Sequence, residues 1–285
     1  MNYQGPEPII QVQDLSYKPM GVDHNILKNI NLDIYPGDFA LLLGPPGCGK
    51  SMFTRCLNSI IPHLDEGTMQ GAVIIDGKNS RTSKIYEFAT KIGMVFQNPD
   101  DQIVSLKVLD EVAWGVENLG LTHDEITKQV YKFMDLLDIS HLKDRLTFAI
   151  SGGQKQKVSI ASNLAMLQDV LVLDDPTTDL DPVCKMEVVQ TLRQLHQEME
   201  KTLIVIEHDL SDLIEMANRL IIMEDGSIVH DGTPEELVTE QYNDLVRLGV
   251  NIPQHVEIAH LVLELSGGGQ VCPAHKEEAF VLLNN

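Results

Sequence analysis

Three segments of this chain occur in an order that leaves few folds open. A glycine-rich loop, Gly44-Pro45-Pro46-Gly47-Cys48-Gly49-Lys50-Ser51, follows the apolar run Phe39-Ala40-Leu41-Leu42-Leu43. Downstream comes the turn Ser151-Gly152-Gly153-Gln154, and then an apolar stretch that ends in Asp174-Asp175. A short continuous apolar run suits a central strand buried on both faces. The glycines at 44, 47 and 49 let backbone N–H groups converge on phosphate oxygens without Cβ obstruction. A helix beginning near Gly49 adds its positive N-terminal end. Lys50 supplies a point charge for β- and γ-phosphates, and the Ser51 hydroxyl can complete a Mg²⁺ shell. Such a loop alone says only that phosphate is bound. The Ser-Gly-Gly-Gln turn before an acidic strand narrows the reading.

The bulk numbers exclude several classes. A chain of 285 residues buries one core with a modest appendage. Its formal net charge of −21, from 42 acidic and 21 basic residues, repels nucleic-acid backbones and anionic lipid. We therefore expect no nucleic-acid partner. No apolar run approaches the roughly 20 residues needed to cross a bilayer, and residues 1–8 lack a signal-peptide core. Cys48, Cys56, Cys184 and Cys272 lack metal-ligand spacing, and one lies inside the glycine-rich loop. That usage favours a reducing cytosol. Any membrane role must then pass through a partner protein.

Periodicity assigns strands to Ile9–Leu15, Ile30–Ile34, Phe39–Leu43, Val73–Asp76, Gly93–Phe96, Val170–Leu173 and Thr202–Ile206. Helices are expected over Ser51–Ile60, Gln154–Leu167, Pro182–Glu200 and Ser211–Asn218. Strands alternating with helices give an α/β fold with a mostly parallel sheet covered on both faces. Residues 98–150 read instead as an inserted helical block, with helices over Asp110–Leu119 and Asp124–Leu137. Thr233-Pro234-Glu235-Glu236 combines an N-cap, a first-turn proline and a capping-box glutamate, so a helix starts there. Beyond Leu248 lie two more helical patterns, Pro253–Leu265 and Ala274–Leu283. Between them Ser266-Gly267-Gly268-Gly269-Gln270 mimics the earlier turn, but it follows a helix and reads as C-cap and linker. The expected division is a main domain over 9–247, with the block 98–150 inserted, and a C-terminal helical extension over 248–285.

Three further motifs complete the set. Pro176-Thr177-Thr178-Asp179-Leu180-Asp181 follows Asp174-Asp175, Gln97 follows Met94-Val95-Phe96, and His208 follows Ile204-Val205-Ile206-Glu207. In this order the motifs resemble those of the ATP-binding cassette (ABC) ATPases. The resemblance implies a P-loop NTPase fold with N-terminal antiparallel strands, and ATP and Mg²⁺ as cofactors. It implies that Gly44, Pro45, Pro46, Gly47, Cys48, Gly49, Lys50, Ser51 and Met52 cradle the phosphates and that Tyr17 stacks on adenine. Ser151, Gly152, Gly153 and Gln154 would bind the nucleotide held by a second cassette, so the working unit would be a dimer. Ser51, Gln97 and Asp174 would hold the metal. Asp175, Gln97 and His208 would serve hydrolysis.

A narrower resemblance rests on Phe96-Gln97-Asn98-Pro99-Asp100-Asp101-Gln102, on Val112-Ala113-Trp114-Gly115 and Glu117-Asn118-Leu119-Gly120, and on Leu245–Val250. These look like the energy-coupling factor (ECF) type of importer ATPase. In that group paired ATPases drive a membrane coupling subunit and a separate substrate-binding membrane subunit, for uptake of vitamins or transition-metal ions. The chain would then sit peripherally on the cytoplasmic face of the membrane. A soluble ABC ATPase not tied to transport, or an ATP-dependent dimerisation switch, are the competing readings.

Three positions depart from the family pattern. Asp175 stands where a glutamate is usual, and its carboxylate starts about 1.5 Å further back, which favours slow hydrolysis. Met52 removes a hydroxyl after Ser51, and Lys157 replaces an arginine. Cys48, at a helix N-terminus among backbone donors, is expected to have a lowered pKa and high reactivity. The helical block and the Asn98–Gln102 segment are expected to form the surface that docks the coupling subunit, with Asp100 and Asp101 as its sharpest probe.

Overall fold

The computed structural model describes residues 7–178, 180–265 and 271–283, except the side chains of Phe280 and Leu283. The Ser266–Gln270 linker and Asp179 lie outside the described residues. In chain order the elements are β1 (Ile10–Pro19), β2 (Leu27–Ile34), β3 (Phe39–Leu43), α1 (Lys50–Leu57), α2 (Ile60–His63), β4 (Gly67–Ile75), β5 (Lys78–Asn79) and β6 (Ile92–Val95). Then come α3 (Val108–Trp114), α4 (His123–Leu136), α5 (Gly152–Ala165), β7 (Val170–Asp174), α6 (Pro182–Met199) and β8 (Thr202–Ile206). The chain closes with β9 (Arg219–Glu224), β10 (Ser227–Gly232), α7 (Pro234–Glu240), α8 (Tyr242–Arg247), α9 (Gln254–Leu265) and α10 (Lys276–Leu283). These fall into two compact units, residues 1–82 with 204–285 and residues 83–203. The boundary passes through β8.

The first unit carries an antiparallel sheet in the order β2-β1-β4-β5. Ile10, Val12, Leu15 and Tyr17 of β1 are all buried, although strict alternation would turn the second pair outward. A register shift between Gln13 and Ser16, with Asp14 at φ 47°, resets the phase so that both pairs face inward. The strand thus runs four residues beyond its expected end at Leu15. In the same unit β3 pairs in parallel with β9, Leu41 opposite Leu220, and β9 pairs antiparallel with β10. Strand order there is β10-β9-β3-β8. All five β3 side chains are buried, each worth about 1.5–3 kcal/mol for the large ones.

Three of these strands have no counterpart in the periodicity: the two-residue β5 and the pair β9 and β10. Residues 219–232 form the β9–β10 hairpin, turning at Asp225 (φ 45°) and Gly226 (φ 81°). The expected helix over Ser211–Asn218 is also corrected, because the segment folds as hydrogen-bonded turns. Its bonds mix spans: Leu213 N to Leu210 O at 3.2 Å, Ile214 N to Leu210 O at 2.9 Å, and Met216 N to Leu213 O at 3.0 Å. Burial of Leu213, Ile214, Met216 and Ala217 fixes that path over a regular helical ladder.

In the second unit β6 and β7 pair in parallel, Met94 opposite Val172, and α3, α4 and α6 pack on α5. Helix α3 stops at Trp114, and a 3-10 turn over Val116–Leu119 ends at Gly120 in left-handed geometry. The buried Glu111 carboxylate accepts from Val104 N at 3.0 Å and Ser105 N at 2.7 Å, which fastens the loop before α3.

Candidate functional site

In the first unit the glycine-rich loop leaves β3 and is braced from behind by the β9–β10 hairpin. Gly226 N donates to Cys48 O at 2.9 Å. A Cβ on Gly44 would lie 2.1 Å from Met223 O, so only glycine lets the loop approach β9 this closely. Gly47 takes φ +78° with open space where its Cβ would be, and Gly49 takes φ +110° as the N-cap of α1. The crest residues Pro46 and Gly47 are exposed, as is Ser51, whereas Lys50 is buried. Lys50 Nζ donates to Gly44 O at 2.7 Å and Pro45 O at 3.2 Å, which draws the ammonium against its own loop. Met52 is half-buried on α1.

Two expectations fail in this unit. Tyr17 is only 1% exposed; its hydroxyl donates to Glu66 O at 3.1 Å, and its ring fills the space over Gly67. No ring face is left for a base to stack on, because the β1 register shift turns this position into the core. Cys48 is also buried, and burial pushes its thiol above the usual range despite the nearby Lys50 ammonium. Desolvation of the thiolate outweighs the helix end, so the expectation of a reactive Cys48 is withdrawn. His208, following the buried Glu207, is exposed, and its carbonyl accepts from Asn251 N at 3.4 Å.

In the second unit, Ser151 and Gln154 form a reciprocal capping box. Ser151 Oγ accepts from Gln154 N at 3.3 Å, and Gln154 Oε1 accepts from Ser151 N at 3.1 Å. The Ser-x-x-Gln spacing carried this signal. Gly153 is required by packing: a Cβ there would lie 2.6 Å from Cys184 Sγ on α6. Gln97 is exposed just past β6 and shares a cavity of about 170 Å³ with Gly152, Gln156 and Thr178. Gln102 holds the turn beyond it, since its Nε2 donates to Met94 O at 3.0 Å and its Oε1 accepts from Phe96 N at 3.2 Å. Asn98 caps that turn through Asp100 N. Asp100 itself pairs with Lys155 Nζ at 2.5 Å, and Lys157 pairs with Glu187 at 2.7 Å.

Asp174 ends β7 half-buried. Asp175 is 8% exposed with φ +47°, a left-handed geometry in which aspartate is several-fold enriched over most side chains. Asp181, N-cap of α6, accepts from Cys184 N and Val183 N, and these bonds, that to Cys184 first, hold its carboxyl below the ordinary value. The structure therefore assembles residues 44–52 as one loop and Gln97 with Gly152 at one cavity. Within the second unit Gln97 and Asp174 carry oxygen donors of the kind a hard cation such as Mg²⁺ takes, and within the first unit the exposed Ser51 hydroxyl and the open crest at Gly47 suit a phosphate.

Residues 27–178, more than half of the chain, match the family model described as ABC transporter. An ABC transporter ATP-binding protein of Methanosarcina mazei is 42% identical over 256 residues, covering 90% of this chain and 43% of the relative. The chain thus spans less than half the length of that relative. A solved structure described as CbiO1 from Clostridium perfringens, part of the ABC transporter complex cbiONQ, is 33% identical with TM-score 0.73. The match covers 85% of this chain and 96% of that one. The ATP-binding cassette MJ0796, in a dimeric post-hydrolysis state with ADP and Pi, is 27% identical with TM-score 0.68, covering 79% and 98%.

Proposed function

The chain belongs to the ABC transporter family of ATP-binding proteins, and from that premise we propose that it is the ATP-hydrolysing subunit of an ECF-type importer. The observation that carries the finer reading is the side-chain-built turn Asn98–Gln102 after Gln97, where Gln102 ties the end of β6. Likeness to CbiO1, described as part of a transporter complex, supports it. On this reading residues 44–52 hold the ATP phosphates, and Ser151–Gln154 engage ATP bound by a second cassette, identical or paralogous. Ser51, Asp174 and Gln97 would hold Mg²⁺, which would supply charge neutralisation for the phosphates. Asp175 accepts a proton from the attacking water, and His208 orients the γ-phosphate.

Among the described residues no helix is long and apolar enough to cross a membrane, so recruitment to the cytoplasmic face falls to a protein surface. A surface of the right chemistry exists in the second unit. Segments 105–108 and 145–147 are hydrogen-bonded, Val108 N to Arg145 O and Thr147 N to Leu106 O. This brings Leu106, Leu146 and Phe148 together at 70%, 40% and 69% exposure. We assign the membrane coupling subunit to this apolar patch; Asp100, already paired with Lys155, contributes less. The vitamin or metal ion transported is chosen by a separate membrane subunit. Residues 248–285 are assigned as the C-terminal extension.

Affinity purification of the tagged chain from detergent-solubilised membranes tests the reading. A second cassette and two membrane polypeptides should co-elute, and Phe148→Asp should release the membrane polypeptides while retaining ATP binding. Recovery of the chain with nucleic acid or ribosomes would replace the importer assignment.

A further inference from the structure

A cavity of about 520 Å³ in the first unit lies beside the turn after β8 and the two C-terminal helices, α9 and α10. Its volume falls within the roughly 300–1,000 Å³ of small-molecule pockets. None of residues 44–52 lines it, so it is distinct from the phosphate loop. The polar lining is Ser211, Asn251, Gln254, His255 and Lys276, and Ile258, with the buried Ile252, Pro253 and Ala279, supplies an apolar wall. The chain has twice as many acids as bases, yet the described lining holds an ammonium and an imidazole and no carboxylate.

Two details make this more than a surface hollow. His255 is fixed in place, because its Nε2–H donates to Ala274 O at 3.0 Å and so joins the start of α9 to the approach to α10. The first turn of the 12-residue α9 supplies Gln254 and His255 to the wall, which places the positive helix end in the same cavity as the Lys276 ammonium. Furthermore, Asn251 is bridged to the segment that carries His208. Leu210 N donates to Asn251 O at 3.2 Å, and Asn251 N donates to His208 O at 3.4 Å. A ligand touching Asn251 therefore presses on a backbone that is continuous with the residue proposed to meet the γ-phosphate.

We propose that this cavity is an effector site for a small amphipathic anion, a carboxylate or phosphate on an apolar body, and that its occupancy shifts the His208–Ser211 segment. Lys276 and the α9 end receive the anionic head, and Ile258 with Ile252 receives the apolar body. The site lies on elements the phosphate loop does not use, so it acts through the His208–Ser211 backbone and not through the phosphate cradle.

The test titrates the ¹⁵N-labelled full chain with octanoate and, separately, with uncharged 1-octanol at constant ionic strength. Octanoate should move the amides of His208–Ser211 and Asn251–His255 saturably, with affinity about tenfold above that of 1-octanol, the value of one charge-assisted hydrogen bond. Lys276→Gln should erase that preference, and Lys128→Gln, on the exposed face of α4, should leave it intact. Equal binding of the two probes would show a merely apolar hollow and overturn the proposal. So would a preference that survives Lys276→Gln, or shifts that fall instead on residues 44–52.

Discussion

Asp175 shows how one residue can answer to backbone and chemistry at once. Its left-handed φ of +47° in a buried position favours aspartate over a longer, more flexible acid. The residue that looks one methylene short for alignment is the one the backbone accepts with least strain. Glutamate should therefore reach the attacking water better yet fit the backbone worse. For Asp175→Glu we expect faster single-turnover ATP hydrolysis and unchanged ATP affinity, with a melting temperature lower by about 2–4 °C for roughly 1 kcal/mol of strain. Asp175→Asn, which tolerates the same φ, should keep the melting temperature and lose turnover by about a hundredfold or more. If glutamate brings no gain while asparagine abolishes turnover, Asp175 is already a full-rate base. At Cys48 the balance also turns on burial: the raised thiol pKa makes it a poor nucleophile at neutral pH. Mass spectrometry after brief maleimide treatment at pH 7 should find Cys184, the one cysteine not buried, modified first. Fast labelling at Cys48 would show that the loop opens far more than this structure implies.

Elements were legible where one local signal decided them and obscure where tertiary packing did. The P-loop, the capped start of α5 and strand β3 followed from glycine placement, Ser-x-x-Gln spacing and the five-residue apolar run Phe39–Leu43. The β9–β10 hairpin was missed although Asp225-Gly226 is a strong two-residue turn signal. Its flanking strands are the apolar run Leu220–Met223 between Arg219 and Glu224, and a mixed segment in which Ile228 and Val229 are adjacent, so neither alternates cleanly. Tyr17 was misread because a register shift three residues earlier, invisible in the sequence, decides which face it takes. In the region of α6 the sequence showed Asp181 as the end of a motif and Pro182 as a helix start, while the structure adds that Asp181 caps that helix. Since its folded carboxyl pKa is lowered, its stabilisation is present above the unfolded pKa and is lost as pH falls through the folded value. Asp181→Asn can still cap but does not titrate. The stability difference between wild type and this variant, followed by urea unfolding, should be constant at neutral pH and should shrink in wild type's disfavour below about pH 4. A difference that stays constant down to pH 2 would show that the cap contributes nothing through its charge.

At the scale of the whole molecule, charge and site geometry make opposing demands. Each chain carries −21, and ATP adds further negative charge, so two cassettes repel each other at long range. The local chemistry pulls the other way. The 14-residue α5 presents its N-terminus with Ser151 and Gly152 exposed, and its capping box uses only part of the first-turn N–H groups. A helix start of this kind suits an anion, and the proposed function makes that anion the γ-phosphate held by the Lys50 loop of the other cassette. Mg-ATP should therefore drive association with a second copy or a paralogous cassette. Because long-range repulsion is screened over about 10 Å at 0.1 M salt, association should strengthen as ionic strength rises from about 20 to 150 mM, opposite to the trend for a simple salt-bridged pair. Sedimentation of the chain with Mg-ATP, best with an Asp175→Asn variant that retains nucleotide, measures both effects. Ser151→Arg should abolish association while leaving ATP affinity at the Lys50 loop intact, whereas Lys50→Ala should lose both. Association that ignores ATP, or that weakens steadily with salt, would place the contact at some other surface and leave the exposed start of α5 without its proposed role.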